Sequence, residues 1–242
     1  MKKKSITIMV PAYNEEKYLA NTVETTYKIV KDMFADYEIL IFNDRSADRT
    51  GEIADALSKK YSQIKVIHNK ENMGLGYNFR RGAKIAQKEY YSCIWADNDT
   101  LPSSQKKIFS HVGEVDFITS FIENDGRPLY RKIISNGFTK TLNLLFGLNL
   151  NYYAGIIVYK TELLKKVKMR TNSFAMQAEV IIQLLKKGYS HKEYSYVFTE
   201  KGRTKESNML RLKNIIGVFK TIITLFFEIH FKELKDIEGR YD

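Results

Sequence analysis

Short apolar runs alternate with stretches of helical spacing through the first hundred residues, and that alternation leaves few folds open. Residues 5–10 read as a strand stopped at Pro11. Over residues 15–34, Leu19, Val23, Tyr27, Val30 and Phe34 fall near one helical face. A second strand, residues 37–42, runs into the polar turn 43–51, which opens another helix. Residues 64–68 are a third strand, 69–76 a loop and 77–87 a helix. The apolar run from Tyr90 then ends abruptly in Asp97-Asn98-Asp99. This order predicts an α/β fold: a Rossmann-like, mostly parallel sheet with helices on both faces.

In such a sheet, ligands occupy the crevice beyond the carboxyl ends of the strands. Asp97 and Asp99 fall at one of those ends. Two carboxylates one residue apart repel each other unless a cation sits between them. A hard divalent ion, Mg²⁺ or Mn²⁺, suits such oxygens and leaves its other positions to water and phosphate. A plain polar turn is the competing reading of the triplet. Gly74-Leu75-Gly76 invites a dinucleotide-binding reading, which fails because Phe79 occupies the third glycine position.

Four motifs occur in order: Pro11-Ala12-Tyr13-Asn14-Glu15; Asn43-Asp44-Arg45-Ser46-Ala47-Asp48-x-Thr50; Asn72-x-Gly74 with Gly82 and Ala86; and Asp97-Asn98-Asp99. Together they resemble the family 2 glycosyltransferases, most closely the polyprenyl-phosphate sugar synthases. The resemblance implies a GT-A fold, a nucleotide sugar donor, a divalent metal and a polyprenyl phosphate acceptor. Carried over by position, Pro11, Tyr13, Glu15, Asn43, Asp44 and Asp97 would bind the nucleotide sugar. Asp97 and Asp99 would hold the metal, with Asp99 catalytic. Three positions depart from the family pattern: Asn43 replaces a carboxylate, Arg45 a glycine, and Leu101 a glutamine that relatives use as a further metal contact.

The second half carries the expectations about the acceptor. Residues 116–121 and 152–159 read as strands, 128–146 and 174–187 as helices, and 197–199 as a short strand. Arg131 and Lys132 stand near an apolar stripe, which suits either a lipid phosphate or an ordinary solvated face. Residues 200–208 resemble the family's Arg-x-Gly-x-Ser segment. That likeness makes Arg203 a catalytic candidate and Lys205 and Ser207 phosphate contacts, with Lys205 where glycine is usual. By the same resemblance Glu179 faces the acceptor; it would be the base if the acceptor were a sugar hydroxyl. A non-catalytic, membrane-binding relative is the reading from a different class.

Residues 209–234 have a narrow polar stripe and an apolar face wider than a helix resting on a core needs. Three readings stay open: a membrane-interfacial helix, a dimer or membrane-protein contact, or a deeply buried helix. The division expected is 1–208 for the transferase domain and 209–242 for the amphipathic helix. Lys and Arg outnumber Asp and Glu, 39 to 28, giving a net charge of +11. That charge seeks phosphate or anionic lipid. Nucleic acid is disfavoured because the cations are scattered without an ordered recognition motif. The lone Cys93 excludes a disulfide framework. No secretory leader or bilayer-length apolar run is evident. The expected location is cytoplasmic, peripheral to a membrane.

Overall fold

The computed structural model describes residues 4–200 and 212–231. Seven strands form one sheet: β1 (Ser5–Ala12), β2 (Asp36–Asn43), β3 (Ile64–His68), β4 (Tyr90–Cys93), β5 (Phe117–Ile122), β6 (Val158–Lys160) and β7 (His191–Tyr196), in the order β3-β2-β1-β4-β6-β5-β7. Among these strands only β6 opposes the common direction; it pairs antiparallel with both β4 and β5. The helices are α1 (Leu19–Met33), α2 (Thr50–Lys60), α3 (Leu75–Ile85), α4 (Pro102–Ser110), α5 (Leu129–Phe146), α6 (Thr161–Leu164), α7 (Met176–Lys186) and α8 (Leu212–Phe231). The sheet is mostly parallel with helices on both faces, as the alternation predicts.

The period of two in the strands divides the core. Ile6, Ile8, Val10, Ile39 and Ile41 face one side, where Leu19, Val23 and Val30 of α1 and Ile108 of α4 pack. Met9, Leu40 and Phe42 face the other, with Phe79 of α3, Leu142 and Phe146 of α5, Ile181 of α7 and Leu225 of α8. Both faces of β1 and β2 are therefore buried, which is why those runs are mostly apolar, the buried exceptions Thr7 and Glu38 bonding each other at 2.9 Å.

Several boundaries differ from the sequence reading. The first helix begins at Leu19 rather than residue 15, because residues 13–18 are spent on the turn beyond β1. β4 stops at Cys93, although Ile94 still bonds Met9 through its N–H at 2.9 Å. The strand expected over 152–159 shrinks to Val158–Lys160. Residues 197–199 form a single bridge, Phe198 with Thr100, instead of a strand. α4 and β7 were not foreseen. α4 buries only one face of a short polar stretch, and β7 is a half-buried edge strand of His, Lys, Glu and Tyr. α5 ends at Gly147 in a left-handed cap, as its glycine predicts. The boundary expected between 208 and 209 lies outside the described residues.

Candidate active site

β1, β2 and β4 run parallel and release their chains at the same edge of the sheet. Each exit turn contains a residue in the left-handed region: Asn14 (φ 57°), Arg45 (φ 63°) and Asn98 (φ 55°). These turns carry three of the four sequence motifs, and the Asn72-x-Gly74 motif joins the second of them through Asp44.

The first two turns are laced to each other. Asn14 N–H donates to Ser46 Oγ at 3.1 Å, and Ala47 N–H returns a bond to Asn14 Oδ1 at 2.8 Å. Glu15 N–H donates to Thr50 Oγ1 at 2.8 Å. Glu16 N–H reaches Asp48 Oδ2, and Arg49 N–H reaches Glu16 Oε2, each at 3.1 Å. Burial works against ionisation of Asp48, but the Thr50 hydroxyl and the backbone amides outweigh it and hold the carboxyl below its usual range. This network explains why Asn14, Ser46, Asp48 and Thr50 recur in the motifs. Beside it, Tyr13 stands 51% exposed and Glu15 is half-buried.

Asn43 is committed internally. Its Oδ1 accepts from Ser46 N–H at 3.1 Å, so its Nδ2 faces His68 Nδ1 at 2.9 Å and donates to it. The His68 ring then carries its hydrogen on Nε2, toward Asp55 Oδ1 at 3.1 Å. An aspartate at 43 has no N–H to give that ring, so His68 gives the amide a physical reason. Arg45 has no such compensation: it is exposed and left-handed where glycine fits without cost. Arg45→Gly is expected to raise stability by about 0.5–1 kcal/mol, the steric gain exceeding the added unfolded-state entropy. A denaturant midpoint that falls would contradict this.

Asp44 is 5% exposed and accepts from Asn69 Nδ2 at 2.7 Å, Met73 N–H at 2.9 Å and Gly74 N–H at 3.0 Å. It ties the end of β2 to the loop that leads into α3. Asn69 also donates to Asn78 Oδ1 at 2.6 Å and accepts from Arg81 at 2.9 Å. Sequence reasoning missed Asn69, Asn78 and Arg81; the burial of Asn69 in its loop and of Asn78 on α3, with Arg81 reaching over them, is not visible in any periodicity. The loop is backed by residues 169–172. Asn172 O accepts from Gly76 N–H at 3.3 Å, and Arg80 holds Met169 O at 3.1 Å and Asn172 Oδ1 at 3.2 Å.

The third turn carries Asp97 and Asp99, both half-buried. Thr22 Oγ1 of α1 donates to Ala96 O at 3.1 Å, and Asp97 Oδ1 is sealed from solvent. Asp99 Oδ1 accepts from Thr100 Oγ1 at 3.0 Å, while its backbone carbonyl accepts from Thr199 N–H at 2.8 Å. The Thr100–Phe198 bridge thus joins the acidic turn to the segment after β7. The Arg127 guanidinium lies 5.8 Å from the rings of both Phe198 and Tyr152 and forks onto Asp125 at 2.8–3.1 Å. Burial pushes the Tyr196 hydroxyl far up, reinforced by Tyr152 and by the charge of Asp99, while Arg127 opposes. Burial also raises Tyr152, against the pull of Arg127 and Arg131. The start of α5, with Arg131 and Lys132 in its first turns, therefore shares a wall with the acidic turn. Arg127, which the sequence reading overlooked, anchors that wall.

Glu179 is 3% exposed, and its oxygens accept from Arg170 N–H at 3.1 Å and Thr171 N–H at 3.2 Å. Burial raises its carboxyl above the usual range, and those amides pull it back. Its visible task is to hold the 170–172 loop. Arg203, Lys205 and Ser207 lie outside the described residues.

Two hard carboxylates around a rim turn suit Mg²⁺ or Mn²⁺ when phosphate and water complete the shell. Among the described residues no cluster of three or more His, Cys, Asp or Glu could hold a metal. The fit is thus to a shared ion rather than to an all-protein cage.

The fold and this strand-edge site define an α/β domain of the GT-A kind. It superposes on mannosyl-3-phosphoglycerate synthase of Rubrobacter xylanophilus with a TM-score of 0.70 at 14% identity, covering 98% of this chain and 77% of that one. Glucosyl-3-phosphoglycerate synthase of Mycobacterium tuberculosis gives 0.68 at 15% identity, over 94% and 80%. The profile of glycosyl transferase family 2 matches residues 7–168, and the chain belongs to that family. The glycosyltransferase GlyG of Streptococcus pneumoniae is 30% identical over 111 residues, 46% of this chain and 36% of its own length. A dolichyl-phosphate beta-glucosyltransferase of Trichomonas vaginalis is 30% identical over 149 residues, 54% and 46%. The chain spans between about a third and a half of the length of these relatives.

Proposed function

We propose that this chain transfers a hexose, with inversion, from a nucleotide sugar to a polyprenyl phosphate. The observation that carries the reading is that three turns leave parallel strands at one sheet edge, the first two laced together and the third carrying two carboxylates. Tyr13 and Glu15 flank the nucleoside end, and Asn43 and Asp44 keep the second turn and the 69–76 loop in shape. Asp97 and Asp99 would hold a divalent cation, which when bound supplies positive charge to the departing diphosphate. The solved M. tuberculosis synthase has been crystallised with Mg²⁺ and uridine diphosphate and, separately, with Mn²⁺ and uridine diphosphate-glucose. That supports the kind of donor and metal.

The acceptor follows from the chemistry of the walls. A phosphate monoester is already anionic near neutrality, its second pKa being about 6, and needs orienting cations more than a base. Arg131 and Lys132 lie at the start of α5, just beyond Arg127, whose guanidinium faces the Phe198 ring of the Thr100–Phe198 bridge, and Arg203, Lys205 and Ser207 follow closely on Thr199 in the chain. The dolichyl-phosphate relative favours the same acceptor class. No helix among the described residues is long and apolar enough to cross a membrane.

Purified protein given Mn²⁺, labelled sugar nucleotides and polyprenyl phosphate should form a lipid-linked sugar; no product across donors would sink the acceptor assignment. A sugar-hydroxyl acceptor would instead require Glu179 as base. Glu179→Gln should keep transfer within a few-fold of normal while costing about 1–3 kcal/mol of stability, because its carboxylate holds two loop amides. A collapse of turnover at unchanged melting temperature would favour the hydroxyl reading.

A further inference from the structure

Of the twelve exposed large hydrophobic side chains among the described residues, ten lie on α5 and α8, so the exposure is concentrated rather than scattered. On α8, Ile216, Phe219, Ile223, Phe227 and Phe231 recur at intervals of three or four and stand 55–73% exposed. On α5, Ile133 and Ile134 are 62% and 46% exposed, and Leu144 near its far end is 84% exposed. Neither face results from a loosely held helix. The inner side of α8 packs Leu225, Ile222, Phe226 and Ile229 into the core, and Thr221 bonds Thr171 at 2.8 Å. The two helices touch: Phe146 meets Phe226 edge-on at 6.3 Å, and His230 Nε2 donates to Leu145 O at 3.0 Å.

The exposed charges described on these helices have one sign. α5 contains Arg131, Lys132 and Lys140 and no carboxylate. The sole acid of α8, Glu228, is 8% exposed and ion-paired inward to Arg170. Lys140 and Lys220 are exposed among the apolar residues. An apolar band dotted with cations and cleared of anions matches a negatively charged lipid surface. It does not match a second copy of this chain, since two such faces on molecules of charge +11 would repel.

We propose that the outer faces of α5 and α8 together form the docking surface for an anionic lipid bilayer. The proposal deepens the lipid-acceptor reading, and its test reads membrane binding without transfer. The full chain is sedimented with sucrose-loaded vesicles of phosphatidylcholine alone and of phosphatidylcholine mixed with phosphatidylglycerol. The wild type should pellet with the mixed vesicles and far less with the neutral ones. The double variant Phe219→Ser with Phe227→Ser should lower partitioning at least about tenfold, because each loses its buried apolar area. Lys140→Glu with Lys220→Glu should abolish the preference for anionic lipid and leave nucleotide binding intact. Should the serine variant fail to fold, the glutamate variant still decides. Wild type that stays in solution, or variants that pellet like wild type, would overturn the proposal. So would a stable dimer in light scattering that the serine substitutions dissociate. Vesicle binding without any lipid-linked product would leave the docking surface standing and refute the acceptor instead.

Discussion

Asp99→Ala is expected to reduce sugar transfer by about 10³-fold, the scale of losing one charge-stabilising group from a reaction centre. The fold should survive. Asp99 is pinned through its backbone carbonyl to Thr199, and that bond does not depend on the side chain. Its carboxylate accepts from the hydroxyl of the adjoining Thr100 at 3.0 Å, a contact within the turn. Melting temperature should therefore move little while turnover collapses. Steady-state rates over a range of Mn²⁺ concentrations, with a melt alongside, separate the two effects. Turnover near the wild-type value would refute the role of the acidic turn.

The largest effect on stability is expected from Gly76→Ala. A Cβ at this position would sit 2.1 Å from the carbonyl oxygen of Thr171 and 2.9 Å from the Cα of Asn172, so backbone has to move. The cost is about 2–3 kcal/mol, from overpacking against atoms that cannot rotate away. For a domain of this size that lowers the melting temperature by about 5–10 °C. The damage should reach the nucleotide site. Gly76 lies in the first turn of α3, and the amides just before that helix, Met73 and Gly74, bind Asp44. Gly74 itself has φ 84°, a conformation in which a side chain is strained. Thermal melts with and without nucleoside diphosphate measure both losses. An alanine variant as stable as wild type would show that the 170–172 loop yields freely.

The strands that line the site were legible because they are buried on both faces. Ile6 through Val10, interrupted only by Thr7, and Ile39 through Phe42 read as apolar runs, and each run stops close to where the turn residues begin. The acidic triplet was legible from its place in the chain. Two carboxylates directly after an apolar strand come to rest together at the sheet rim, where their mutual repulsion favours a cation. The reversed strand β6 was not legible. Its direction depends on which neighbours it lies between, and three residues carry no record of that. β7 hid because an edge strand buries one side only and can be rich in Lys and Glu. The loop network around Asp44 hid because Asn69 and Asn78 look like ordinary loop and surface-helix amides until the fold buries them. Glu179 shows the opposite problem. Its position in the chain suggested chemistry, whereas its hydrogen bonds give it a loop to hold.

Calorimetric titration of nucleoside diphosphates into the wild type and into Asp97→Ala with Asp99→Ala, each with Mn²⁺ and with a chelator, bears most directly on the shared cation. Saturable binding that needs the ion and weakens at least about tenfold in the double variant is the predicted result, since on this proposal the phosphates and the two side chains would hold one metal between them. Equal affinity in all four titrations would mean that the strand-edge acids take no part in holding the donor.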